Sequence, residues 1–330
     1  MAAYLDEHGM PMRGTRAIVV AVLLLPMFQV LDTPVAGQSA NSTQEPTIVF
    51  KSSVEMVGVN AVVRDRRGRL VRDLTKADFE VIDGGVTRSI LEFRDDFSAV
   101  SVAMLFDVSG SMEGRMPHAR EAASHLLGWL DDSSDEVAVL TFDTGLDEVT
   151  PFTPGLRELP STLGALTPFG ATSLHDAIAA TAKLFDERGA SRRAVIVFTD
   201  GDDNASRLTP SEVSGIASAI DVPVYILGIV PSIDNPTSDL AGGLSVSESR
   251  WSSLRDLAYW TGGNLFFASS PAERNVVARQ VIDELRHQYF IAFEAAANPG
   301  WRPLVVRTRD RKLEVRARSG YFAGLSRPIS

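Results

Sequence analysis

From residue 101 the chain alternates short, almost wholly apolar runs with amphipathic stretches. The runs are SVAMLFDV, EVAVLTFD (136–143), RAVIVFTD (193–200), VPVYILGIV (222–230) and GNLFFAS (263–269), with helical patterns between them at about 116–130, 173–188, 210–220 and 248–261 and a last one at 271–287. A strand apolar on both faces has to be covered on both, and helices lying between successive strands supply that cover. The pattern predicts an α/β fold over residues 99–287, a doubly wound, mostly parallel sheet of the Rossmann-like kind.

The flanks follow a different rule. Residues 49–98 read as short strands, VEMVGVNAVVRD, RGRLVRDL and FEVIDGG, with a turn at Asp83-Gly84-Gly85, and residues 288–330 read as three more, YFIAFEAA, PLVVRTRD and KLEVRARSGYF. Each end is too small to bury a stable core by itself, so the two are expected to pair into one β-rich, sandwich-like unit beside the α/β domain.

Residues 1–37 read as a secretory leader. Arg13 and Arg16 precede the apolar stretch 17–31, and VAGQSA offers small residues for cleavage near Gly37. The acidic start suits a leader poorly, whereas initiation at Met12 gives a well-proportioned one. The apolar stretch is shorter than the roughly 20 residues of a membrane-spanning helix, and Pro26 and Gln29 interrupt it. Residues 38–48 are a polar linker. The expectation is an exported protein, periplasmic or extracellular, with no transmembrane segment in the mature chain.

Composition narrows the chemistry. The 330 residues include no cysteine, so disulfides and thiolate metal sites are absent. Residues 101–285 carry 26 acids against 12 bases, whereas residues 46–100 together with 286–330 carry 12 acids and 18 bases. An acidic central domain disfavours nucleic acid as a partner. The basic runs RDRRGRLVR (64–72) and RTRDRKLEVRAR (307–318) fit the solvated face of a sheet.

Three loops carry the candidate chemistry. In doubly wound sheets ligands collect at the carboxyl ends of the strands. Asp107, Ser109 and Ser111 leave one such end with single spacers, so a chain curling from strand to helix can aim all three at one point, with Gly110 easing the crowding. Thr172 in FGATSLHD (169–176) and Asp200 in FTDGDDN (198–204) occupy two further loops of the same kind. Two carboxylates and three hydroxyls are hard oxygen donors, suited to Mg²⁺ or Mn²⁺, with Ca²⁺ a further candidate. Two carboxylates only balance a divalent cation, which leaves it electrophilic toward an acid from outside.

DVSGS, GATSLHDAI and VIVFTDGDD together resemble the metal-ion-dependent adhesion site of von Willebrand factor A-type domains, over about residues 98–285. That resemblance implies that Asp107, Ser109, Ser111, Thr172 and Asp200 are the ligand positions, some direct and others through water. The flanks, VRDRRGRLVRDLTKADFEVIDGG and VRARSGYF, resemble the bacterial exported VWFA-related Acidobacterial domain family. His175 departs from that pattern, where an aromatic is common, and its sequence position puts it at the rim of the site.

Enzyme signatures are missing. A haloacid dehalogenase-type phosphatase needs a second Asp where Ser109 stands, no Gly-x-Ser-x-Gly elbow surrounds Ser109 or Ser111, and no Gly-x-Gly-x-x-Gly follows the first α/β strand. His118, His125 and His287 have no spacing for a metal or a triad. The sequence therefore points to a non-enzymatic, exported, metal-dependent protein-binding module of adhesion type, whose partner donates a carboxylate. An assembly role in a cell-envelope complex is the alternative, and a hydrolase a remote one.

Overall fold

The computed structural model describes residues 56–95, 99–131, 133–185, 192–231, 247–296 and 298–324. The expected leader (1–37) and linker (38–48) lie outside the described residues.

The amino-terminal part gives four strands, β1 (Met56–Arg64), β2 (Phe79–Asp83), β3 (Val86–Arg88) and β4 (Ile90–Arg94). The carboxyl-terminal part gives four more, β11 (Tyr289–Glu294), β12 (Gly300–Thr308), β13 (Glu314–Ala317) and β14 (Gly320–Ala323). They interleave. One antiparallel sheet has the order β13-β1-β11-β4 and the other β14-β12-β2-β3, so each takes two strands from either end of the chain. Alternate residues of these strands meet in one core, with Val57, Val59, Ala61 and Val63 of β1 packed with Val81, Ile291, Phe293, Leu304, Val306 and Tyr321. This is the β-rich unit expected from the two ends.

Two local expectations change. RGRLVRDL is not a strand: Asp65 accepts the backbone N–H groups of Arg67 and Arg69 at 2.8 and 2.9 Å, the chain turns at Gly68, and Leu70 only bridges Arg64. KLEVRARSGYF is two strands rather than one. β13 pairs with β1 and β14 with β12, so the chain crosses between sheets at Arg318-Ser319.

Between β4 and β11 lies the α/β part. Its strands are β5 (Val100–Asp107), β6 (Glu136–Phe142), β7 (Leu146–Pro154), β8 (Arg192–Thr199), β9 (Val224–Gly228) and β10 (Leu265–Phe267), in the order β10-β9-β8-β5-β6-β7. All pairings are parallel except β6 with β7. β7 was not legible as a strand: it carries Pro151 and Pro154, sits at the sheet edge and is half exposed. Every residue of β5 is buried, and its alternation sorts the core. Val102, Met104 and Phe106 face α1 (Met116–Trp129) and α6 (Pro271–Arg286), while Ala103 and Leu105 face α3 (Leu174–Lys183), α4 (Pro210–Ile220) and α5 (Ser247–Trp260). A short helix, α2 (Ser161–Ala165), precedes α3. Two helix starts share one signature. In TPSE and SPAE the Thr209 and Ser270 hydroxyls accept the N–H of Glu212 and Glu273, whose carboxylates reach back, with proline in the first turn. Among the described residues no helix is long and apolar enough to cross a membrane.

Candidate metal centre

The strand order reverses at β5: the chain leaves β5 toward β6 and β7, then returns on its other side through β8, β9 and β10. The connection after β5 runs to α1 on one face of the sheet, and the one after β8 runs to α4 on the other. Two loops that part in this way open a crevice at the carboxyl ends of their strands. Asp107 ends β5 and Asp200 follows β8, so both carboxylates stand at that crevice.

After Asp107 the backbone tightens into a short 3-10 turn, Gly110–Met112, before α1 begins. This turn brings the alternate side chains to one side. Asp107 Oδ1 accepts hydrogen bonds from the Ser109 amide at 3.0 Å and hydroxyl at 2.5 Å, and its Oδ2 accepts the Thr199 hydroxyl at 2.7 Å. The Ser109 and Ser111 hydroxyls lie 3.2 Å apart, and Ser111 Oγ donates to Asp200 Oδ1 at 3.3 Å. Four of the five expected ligands thus form one continuous polar chain. Thr172 is buried on the facing loop, tied to the segment after Asp200: its amide donates to Asn204 Oδ1 at 2.9 Å, and its carbonyl accepts the amides of Asn204 and Ala205, both at 3.0 Å. That loop is also fastened to the first, with Phe169 N–H bonded to Val108 O at 2.9 Å and Gly110 N–H to Gly170 O at 3.1 Å.

Two glycines set the turns. Gly170 has φ +90°, and Gly201 has φ +88° with the Trp251 indole directly beneath, 2.6 Å from where a Cβ would stand. Gly110 docks on the facing loop, where a Cβ would meet Gly170 O at 3.5 Å, an ordinary contact.

Burial pushes the Asp107 carboxyl up to about 6, with the negative charge of Asp200 adding to the rise and the bonds from Ser109 and Thr199 opposing it. A buried carboxylate beside a second one is a place where a cation is favourable. Arg115, at the start of α1, already lends positive charge: its Nη1 lies 3.1 Å from Asp200 Oδ2 and also bonds the Ser111 carbonyl. The donor set is all oxygen, and its residues fit a hard divalent ion. Among the described residues no group of three or more His, Asp or Glu side chains makes a separate metal site.

Sequence reasoning missed Thr199, Asn204 and Arg115. Thr199 adjoins Asp200 in FTD and carries a signal of position, whereas Arg115 reaches Asp200 across 85 residues and carries none. His175 is largely buried and paired through Nδ1 with Asp203, whose carboxylate also accepts the His175 N–H at 3.1 Å, so it holds the start of α3 to the loop after β8.

Residues 102–202 match the protein family described as von Willebrand factor type A domain. Comparison with curated proteins finds no significant match. Solved structures with a similar chain path include an aerotolerance-related membrane protein from Bacteroides fragilis, 19% identical over 56% of this chain and 98% of that one, TM-score 0.46. Another is a von Willebrand factor type A protein from Catenulispora acidiphila, 14% identical over 83% of this chain and 76% of that one, TM-score 0.45. A third is proximal thread matrix protein 1 of the mussel byssus, 18% identical over 62% of this chain and 51% of that one, TM-score 0.46. The segment 102–202, which carries Asp107, Ser109, Ser111, Thr172 and Asp200, therefore matches the von Willebrand factor type A domain in sequence, and the part of the chain around it has the mostly parallel α/β fold expected of one.

Proposed function

We propose that the α/β part is an adhesion-type binding module that captures an acidic side chain of a protein partner through a divalent cation, Mg²⁺ or Mn²⁺, held by Asp107, Ser109, Ser111, Thr172 and Asp200. The observation that carries this reading is the unbroken run Asp107–Ser109–Ser111–Asp200 at the crevice where the strand order reverses, with Thr172 on the loop fastened opposite. A bound cation supplies an electrophilic centre that a partner carboxylate can enter. The chain's own residues do the rest: β5 and β8 fix the carboxylates, the 3-10 turn aims the serines, and Gly170 and Gly201 hold the loops that frame them. We read the protein as exported, on the leader pattern of residues 1–37.

The test is Mg²⁺ binding by calorimetry and partner recovery from cell-envelope extract, in Mg²⁺ against chelator. Asp107→Ala should abolish metal and partner binding together. Thr172→Ala should keep the fold and much of the metal affinity while weakening partner recovery. Full recovery in chelator, or by Asp107→Ala, refutes the reading. The opposite charges of the α/β part and the β-rich unit favour a second reading, assembly of copies through the same site; a Mg²⁺-dependent change of oligomeric state in the pure protein would select it.

A further inference from the structure

The Phe169 side chain is 81% exposed, more than any other large apolar side chain among the described residues. A scattered exposed apolar residue needs no explanation, but this one is held in place. Its amide donates to Val108 O at 2.9 Å, the next residue's carbonyl accepts Gly110 N–H at 3.1 Å, and Gly170 turns the chain at φ +90°. Val108 and Gly110 are the neighbours of Ser109. The backbone that carries the phenyl ring is therefore held against the loop of the candidate metal centre, three residues before Thr172, and the ring itself stands in solvent, with Leu166, three residues earlier, also exposed. An aromatic side chain has only two side-chain torsions to fix, so on a held backbone it gives large apolar contact for little loss of freedom on binding, as the anchors of protein interfaces do.

We propose that Phe169 is the second point of contact in partner capture, and that the partner is a protein segment presenting an apolar side chain within about two residues of its metal-binding acid. This rests on the metal-capture reading above. Charge points the same way. Residues 101–285 carry 26 acids against 12 bases, so the α/β part as a whole repels acids, and one acid flanked by apolar or basic residues complements it better than an acidic run. Selectivity then comes from the pair of contacts: the cation recognises the acid, and Phe169 recognises its neighbour.

The experiment uses the full chain in Mg²⁺ to select from displayed heptapeptides with a fixed central Asp, alongside Phe169→Ser and a chelator control. The expected result is enrichment of aromatic or branched aliphatic residues next to the Asp, lost with Phe169→Ser. A selected peptide should bind roughly 10- to 100-fold more weakly to Phe169→Ser and less so to Phe169→Leu. Affinity for Mg²⁺ alone and the melting temperature should not change, because the ring is exposed and is none of the proposed ligands. Metal-dependent enrichment with no apolar preference overturns this inference and leaves the capture reading standing. Enrichment indifferent to chelator overturns the capture reading and the inference with it, and no enrichment overturns both. Phe169-dependent sedimentation with phosphatidylethanolamine–phosphatidylglycerol vesicles would assign the ring to a lipid surface instead, and a Mg²⁺-dependent dimer dissolved by Phe169→Ser would assign it to a second copy.

Discussion

At the scale of single residues, Asp107 decides the behaviour of the centre. Burial, chiefly, pushes its carboxyl from the ordinary 3.8 up to about 6 in the fold. A group raised in this way contributes stability below pH 3.8 that is lost as pH rises through about 6. In chelator, wild-type protein should therefore lose up to about 3 kcal/mol relative to Asp107→Asn between pH 4 and 7, read as the difference of their melting curves. On the proposed capture reading Mg²⁺ would compete with the same proton, so its affinity should weaken below about pH 6 and level off above, which calorimetry at pH 5, 6 and 7.5 checks. Two glycines separate steric demand from mere smallness. Gly201→Ala puts a Cβ at φ +88° against the buried Trp251 ring and should destabilise by about 2 kcal/mol or more in denaturant. Gly110→Ala, with 3.5 Å of room, should be close to neutral. Asp107, Ser109 and Ser111 were legible as a group because their spacing is local. Thr199 and Asn204 were not, because their roles exist only where β5, β8 and the loop before α3 come together.

At the scale of elements, α6 is the helix on which the two halves of the molecule meet. Glu284 near its end is fully buried and accepts Arg64 of β1 and Arg316 of β13, while Arg192 of β8, also buried, donates to the carbonyls of Leu285 and Gln288 at 3.0 and 2.7 Å. Removing one member of a buried ionic group leaves the others unpaired in a poor solvent for charge. Glu284→Ala should cost about 3 kcal/mol and loosen the end of α6, seen as faster amide exchange over 281–288. The five longer helices were readable from periodicity, whereas α2, with five residues, is too short to carry a period. β7 was not readable, because an edge strand with two prolines has neither the apolar continuity of the centre nor a clean alternation.

At the scale of the whole molecule, the α/β part is an insertion within a sandwich that the chain begins and finishes. Deleting residues 288–330 strips β1 of both neighbours, β4 of its partner β11 and the β2–β3 hairpin of β12. Amides of 56–94 should then exchange at rates near those of an open chain while those of β5, β6 and β8 stay protected. Cooperative protection of 56–94 in the truncated chain would contradict the interleaved sheets. The joint between the halves is polar and specific: Arg318 bonds the carbonyls of Ser218 and Gly58 and lies 3.4 Å from Asp221, which holds a left-handed φ of 58° after α4 and accepts Asn60 at 2.9 Å.

What the sequence determined by itself was local periodicity and local chemistry. Runs apolar on both faces required a covered parallel sheet, short alternating runs required a second β-rich unit, and single-residue spacing grouped Asp107, Ser109 and Ser111. Tertiary structure decided everything that depends on which strands become neighbours. The reversal of strand order at β5 brings Asp200 to Asp107, the loop before α3 is fastened to Val108 and Gly110 through Phe169 and Gly170 and to the segment after Asp200 through Thr172, and the crossing at Arg318-Ser319 divides one apparent strand between two sheets. These contacts join residues far apart in the chain, and their selection rests on burying the most apolar surface with every buried polar group bonded, a property of the assembled core that no single stretch carries.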